Sequence, residues 1–156
     1  MPENKMIQKI LSFIVDDERF LATRNNSSSP EKHGGDFWFT VTGSIEKGET
    51  KDEAVIREIK EETNLDVKEV FDLNWGSIYK NWQGICREFN LISFVDKNQK
   101  IKLDMQEVVE YKGLPLNEFV DFISWGDDKK ILKEVLQKAL KRERYFKTLT
   151  LVDYRN

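Results

Sequence analysis

Residues 7–15 read IQKILSFIV, dense in Ile, Leu, Phe and Val, and the run then meets Asp16, Asp17 and Glu18. An aromatic and β-branched run stopped by a polar cluster predicts a strand that ends in a turn, and a second strand is expected over 19–24. The stretch 25–36, NNSSSPEKHGGD, carries three serines, a proline and two glycines. It predicts a surface loop, with Gly34 and Gly35 as candidate hinges. At 37–41 the sequence FWFTV predicts one short buried strand that runs straight into Thr42 and Gly43.

Beyond that point the period changes. Residues 50–63, TKDEAVIREIKEET, contain no Gly or Pro and many good helix formers, with Thr50 placed as N-cap and Glu53 three residues on as its capping-box partner. Two strands follow over 67–80 and 85–95, joined by a turn at 81–84, with another turn at 96–100. Helices are expected over 116–123 and 129–142. In the second, Ile131, Leu132, Val135, Leu136, Ala139 and Leu140 recur at the spacing of a core-facing stripe. The segment 145–154 reads equally as a strand or an arm. Strands, one charged helix, more strands and then helices favour a mixed β-sheet with helices packed on its faces over a strictly alternating doubly wound fold. Neither a repeat nor a linker interrupts the chain, so a single domain over 1–156 is expected.

The chemistry is concentrated in the charged helix. At about 100° per residue, with Glu58 at zero, Glu61 falls near −60° and Glu62 near +40°, so three carboxylates share one face. Val55, Ile59, Thr63 and Ile56 fall between about 60° and 160°, which puts an apolar stripe beside the acids rather than opposite them. Arg57 and Lys60 are expected on the remaining side, poorly placed to neutralise all three. Like charges three and four residues apart repel by roughly 0.2–0.5 kcal/mol per pair, so a compensating cation is expected. Hard divalent ions such as Mg²⁺ take oxygen ligands and bridge carboxylates to phosphates. Gly43 and Gly48 flank the loop before the helix, and a glycine lets backbone approach a ligand closely. Glu49 and Arg57 are too far apart to be neighbours on a helix face, but a loop folded back over the helix lets them pair.

Composition narrows the function. Lys and Arg total 25 against 28 Asp and Glu, a net charge of −3, which argues against duplex nucleic acid or long RNA as main partner. The N-terminal apolar stretch is too short and too polar for a signal peptide or a spanning helix, so no membrane partner and a cytoplasmic location are expected. Cys86, the only cysteine, and His33, the only histidine, exclude an intramolecular disulfide and leave little material for a Cys/His zinc site or a catalytic triad. Cys86 is expected to be a buried thiol.

Gly43, five residues, Glu49, seven residues, then Arg57-Glu58-Ile59-Lys60-Glu61-Glu62-Thr63-Asn64-Leu65 resembles the signature box of the Nudix hydrolase superfamily. One position departs, since Asn64 stands where the family has glycine. Asn tolerates a left-handed helix end, so the change is physically mild. The resemblance implies an α/β fold of the Nudix-type α/β/α sandwich, dense over 37–66 and thinner over 107–132, with 1–20 and 142–156 carrying almost none of it. It also implies Mg²⁺-dependent (or Mn²⁺-dependent) attack of water on a phosphoric anhydride. Carried over by position, Glu58 and Glu62 are principal metal ligands, Glu61 is a further ligand or the base that activates water, and Gly43 offers its carbonyl. Glu49 and Arg57 form a structural pair.

Trp38, the VTGS run at 41–44 and Ser124-Trp125 are similar to the subgroup acting on dihydroneopterin triphosphate or dATP. By that similarity Glu107 completes the metal site, with Glu110 as the alternative, while Arg24, Thr42 and Lys5 are candidates for substrate binding. Trp38, Trp75, Trp82 and Trp125 are candidates for stacking on a ring, with ordinary core packing as the competing reading of each. The implied partner is a small nucleoside or pterin polyphosphate, cut to the monophosphate and pyrophosphate. A dinucleoside polyphosphate hydrolase, for which Tyr79, Lys80 and Tyr111 leave room, and a non-catalytic nucleotide-sensing module are the alternatives.

Overall fold

The structure, a computed structural model, describes residues 6–27 and 36–154; Lys5, His33, Gly34 and Gly35 lie outside them. Its elements run β1 (Ile7–Asp16), β2 (Arg19–Asn25), β3 (Trp38–Phe39), β4 (Val41–Ser44), α1 (Lys51–Thr63), β5 (Val67–Asn81), β6 (Gly84–Val95), β7 (Val108–Pro115), α2 (Leu116–Phe122), α3 (Lys129–Leu140) and β8 (Thr150–Tyr154). The strands form one sheet in the order β3-β2-β1-β6-β5-β8, with β4 also on β1 and β7 also on β2. It is mixed: β1 runs parallel to β6 and β5 to β8, and the other pairs are antiparallel.

Both faces are covered, so the central strands bury alternate side chains in opposite directions. On β1, Ile10 and Ile14 join Val41, Phe89 and Leu91 under Ala54, Val55 and Ile59 of α1. Leu11, Phe13 and Val15 join Trp75, Ile92 and Phe94 under Phe119 of α2 and Leu132, Val135 and Leu136 of α3. This is the expected three-layer arrangement. The expected strand at 37–41 is in fact two strands broken at Thr40. β1 and β2 leave their turn paired at Val15 and Phe20 and then separate; β3 pairs with β2, and β4 pairs with β1. A hydroxyl donated by Thr40 to the Ser12 carbonyl at 2.7 Å holds the crossing point. Trp38 and Phe39 are consequently half-buried.

The strand β7 was not expected from the sequence. Only its first residue, Val108, is buried, so it lacks the apolar alternation by which strands are recognised; its partner is β2 alone. The undecided 145–154 segment resolves at its end as β8, parallel to β5.

The helix α1 begins and ends as its residues dictate. Glu53 N–H donates to Thr50 Oγ1 at 3.1 Å and Thr50 N–H to Glu53 Oε1 at 2.9 Å, closing the capping box. Asn64 caps the other end at φ 67°, in the left-handed region that the family's glycine occupies freely. Asn64→Val is therefore expected to destabilise the fold by about 1–2 kcal/mol while Asn64→Gly changes it far less, as read from urea unfolding midpoints; equal costs for the two would exclude backbone strain as the cause.

Candidate active site

The box residues come together because β4 ends against α1. A Cβ on Gly43 would overlap the carboxyl group of Glu58, so the absence of a side chain there is what lets this carboxylate lie against the strand. Glu62, one turn further along and 6% exposed, is within hydrogen-bonding reach of Glu58. Burial pushes the Glu58 carboxyl above its ordinary value, against the pull of Arg57. The wheel is corrected here in one respect. Glu58 and Glu62 lie within the buried sector, between Ala54 and Val55, while Ile56 is 44% exposed and outside it.

Arg57 ties the loop to the helix. Its Nε and Nη2 donate to the two oxygens of Glu49 at 2.6 and 3.0 Å, and Nη2 also donates to the Ser44 carbonyl at 2.9 Å. The loop does fold back over the helix, as the spacing allowed. The remaining nitrogen, Nη1, reaches Glu58 Oε2 and Glu61 Oε1, both at 3.1 Å, so Arg57 serves two of the three acids and, as expected of its side of the helix, not all three. Hydrogen bonds from Arg57 and from the Glu46 backbone N–H hold the Glu49 carboxyl down at about 2. Lys60 turns away to Asp66.

Glu107 arrives by a separate route. The last carbonyls of a helix have no partner within it, and here Thr63 O and Glu62 O accept from Lys102 N and Asp104 N, both at 3.0 Å. That contact pins the 101–107 segment to the end of α1. Asn26 N donates to Glu107 O at 2.9 Å and fixes its other side. Glu62, Glu107 and Thr42 thus line one cavity of about 270 Å³. Arg24 lines neither this cavity nor its neighbour; it forms a two-pronged pair with Asp36 and a 2.7 Å contact with Glu110.

Next to this cavity is a second, of about 180 Å³, on the α2 and α3 side of the sheet. The two share Phe39, Tyr79 and Glu88. Glu88 was not singled out from the sequence. Tyr79 donates its hydroxyl to Glu88 Oε2 at 3.1 Å, and burial pushes the Glu88 carboxyl up to about 7. Burial, then the nearby Glu88 and Cys86, also raise the Tyr79 hydroxyl above its usual value. Glu88 and Asn90 stand two apart in a strand whose neighbours are mostly apolar. That polar pair on one face was the signal available. Of the tryptophans, Trp75 is core, Trp82 is 61% exposed, Trp38 packs on Phe122, and Trp125 lines the second cavity. Cys86 is buried, as expected.

Among the described residues no group of three His, Cys, Asp or Glu side chains stands close enough to hold a metal ion. In this state Arg57 engages the carboxylates of Glu58 and Glu61. The donor set nevertheless fits a hard divalent cation: the groups around Gly43 are carboxylate and carbonyl oxygens, and two of the carboxyl groups are buried against each other. No helix of the described residues is long and apolar enough to cross a membrane.

The NUDIX domain family model matches residues 8–135. The dihydroneopterin triphosphate diphosphatase of Escherichia coli (strain K12) is 59% identical over 32 residues, which are 20% of this chain and 21% of that protein. The m7GpppN-mRNA hydrolase of Saccharomyces cerevisiae is 35% identical over 108 residues, 68% of this chain and 10% of that protein. The chain thus spans about a fifth and a tenth of the curated relatives it matches. The structure of the E. coli dihydroneopterin triphosphate pyrophosphohydrolase superposes with a TM-score of 0.64 at 19% identity, over 86% of this chain and 99% of that one.

Glu88 generates a pH prediction. The folded chain keeps this proton up to about pH 7 and the unfolded chain only up to about 4.5, so the native state holds more protons between these values and stability falls as pH rises through them. Tyr79 on β5, Lys9 on β1 and Cys86 on β6 are the titratable groups that face it. Glu88→Gln is expected to stabilise the fold more at pH 8 than at pH 5, the difference in unfolding free energy from urea titrations reaching up to about 3 kcal/mol. Equal shifts at the two pH values would refute the assignment.

Proposed function

The chain belongs to the NUDIX domain family, and on that footing we propose that it is a divalent-metal-dependent pyrophosphohydrolase that cleaves a nucleoside triphosphate or dihydroneopterin triphosphate to the monophosphate and pyrophosphate. The observation that carries this reading is the close approach of Glu58 to the bare Cα of Gly43, with Glu62 beside it and Glu107 across the same cavity. The E. coli relative's name supplies the triphosphate.

In this reading Glu58, Glu62, Glu107 and the Gly43 carbonyl would hold Mg²⁺ or Mn²⁺, with Glu61 as a further ligand or as the base. A bound ion there would supply charge to offset the polyanion and Lewis acidity toward a phosphoryl oxygen. The protein does the rest through positions. Arg57 keeps Glu49 on the loop and steadies the helix face, so the carboxylates are oriented before substrate arrives. Glu61, 57% exposed at its side chain, is the carboxylate with solvent access, suited to take the proton of a water whose oxygen forms a bond to phosphorus as the anhydride P–O bond breaks. Thr42 lies on the cavity wall as a hydroxyl donor to a phosphate oxygen. Arg24, held by Asp36 and Glu110, and Lys5 remain candidate phosphate contacts.

The test is a screen with Mg²⁺ and with Mn²⁺ over the nucleoside triphosphates, dihydroneopterin triphosphate, diadenosine tetraphosphate, ADP-ribose and capped RNA, with products separated by chromatography. Pyrophosphate and a monophosphate from a triphosphate are expected; ATP released from diadenosine tetraphosphate in preference, or folded protein silent on the whole panel, would overturn the reading. Glu62→Gln is expected to lower kcat/KM by about 100-fold or more without loss of fold. Gly43→Ala, which drives a methyl group into the Glu58 carboxyl, is expected to weaken Mn²⁺ binding at least about tenfold in calorimetry without substrate; unchanged Mn²⁺ affinity would sink the assignment of Glu58.

A further inference from the structure

The second cavity contains more unmet hydrogen-bonding capacity than a folded interior keeps without a purpose. Asn90 Oδ1 and Trp125 Nε1 are both buried and without a hydrogen-bond partner, and both residues line it. Asn90 is 3% exposed and Glu88 8% exposed. Glu88 receives the Tyr79 hydroxyl at Oε2, which leaves Oε1 as a second acceptor of the same carboxyl group. Buried polar groups are satisfied in nearly all native structures, by protein, water or ligand. An unmet acceptor, a carboxyl group with one oxygen to spare and an unmet donor at a single cavity define the polarity of what enters it.

The donor's direction is fixed. Trp125 is packed among Phe13, Phe39 and Trp75, with ring centroids 5.8, 6.0 and 5.3 Å away, and the Ser124 N–H donates to the Trp38 carbonyl at 2.8 Å. The acceptors are equally fixed, since Glu88 and Asn90 are neighbours on one face of β6, between β1 and β5. Together with its neighbour, the cavity reaches the size range of small-molecule sites, about 300–1,000 Å³. The shared Phe39, Tyr79 and Glu88 make the two one cleft, with the box glutamate Glu62 at one end and the aromatic wall at the other.

We propose, resting on the hydrolase reading above, that this second cavity holds the substrate's ring and selects the 2-amino-4-oxopyrimidine edge that guanine and pterins share, with Glu88 and Asn90 Oδ1 accepting its ring N–H and amino hydrogens and Trp125 Nε1 donating to its oxo group. Adenine and cytosine each present one amino donor beside ring acceptors, and uracil presents one N–H between two acceptors. Each leaves one of the protein's two acceptors facing another acceptor. Recognition of this kind is exacting, because a wrong ring strands buried polar groups.

The experiment is calorimetric titration of the full chain in EDTA with guanosine 5′-monophosphate, neopterin monophosphate, AMP and CMP. At least one of the first two is expected to bind ten or more times more tightly than AMP and CMP, and their relative affinity identifies which source of the edge the site favours. Trp125→Phe, which keeps a ring and removes the N–H, and Asn90→Leu are expected to shrink that margin to about threefold or less. Should Asn90→Leu fail to fold by circular dichroism, Trp125→Phe decides alone. AMP binding as well as the better of the first two, a margin that survives Trp125→Phe, or no binding by any of the four, which would mean a water-filled cavity, each overturns the proposal. Turnover plays no part in the measurement. Intact ring discrimination in a protein without hydrolase activity would sink the proposed function alone, and hydrolysis without discrimination would sink this inference alone.

Discussion

Arg57 is the residue on which the arrangement of the acidic helix depends. Three of its nitrogens reach five acceptors drawn from strand, loop and helix: the Ser44 carbonyl, both oxygens of Glu49, Glu58 and Glu61. A planar guanidinium can do this because its donors are fixed in a fork, which the single ammonium of a lysine cannot reproduce. The pairing with Glu49 closes the loop after β4 onto α1, and the loop in turn keeps Gly43 against Glu58. The same group supplies the positive charge that makes clustered carboxylates tolerable in a half-buried setting.

The separation of β1 and β2 has a similar reach. Had the two strands stayed paired along their lengths, the sheet would be continuous between its two cores. They part after Phe20, and β3 and β4 fill the wedge, with Thr40 at the crossing. The first cavity is lined by residues from this wedge, among them Thr23, Phe39, Thr40 and Thr42, and it meets the end of α1 at Glu62. An unbroken strand over 37–41 would not have provided that opening.

Much of this is legible in the residues. The capping box, the strand pairs on either side of the turn at 81–84 and the stripe of the last helix follow from local chemistry and period, and the box spacing identified Gly43, Glu49, Arg57, Glu58, Glu61 and Glu62 as a unit. What local pattern could not supply was partner choice. Thr40 breaks its strand because of where β1 and β2 go. β7 is a strand because β2 offers it an edge, although most of its residues are exposed. Arg57 reaches acids on its own helix because a long side chain bends where a wheel draws only a direction. Arg24 shows the opposite effect: similarity to the subgroup suggested a phosphate contact, and its surroundings supply two carboxylates.

The two ends of the cleft are built from different parts of the chain. The acidic end belongs to β4, α1 and the segment pinned beneath α1. The aromatic end is formed mainly by β5, β6 and the turn at Trp125, with Leu11 of β1 and the shared Phe39 of β3. Substitutions at the second end can therefore change which ring is accepted without replacing the carboxylates, because Gly43, Arg57 and Glu58 are not among the residues that line it. Function resides in sites carried on a fold rather than in the fold itself, and here the division runs through a single cleft. Phe39, Tyr79 and Glu88 are the only residues among the described linings of both cavities. Of these Glu88 alone carries a carboxyl group, which burial pushes up to about 7, so its protonation near neutral pH bears on both ends of the cleft.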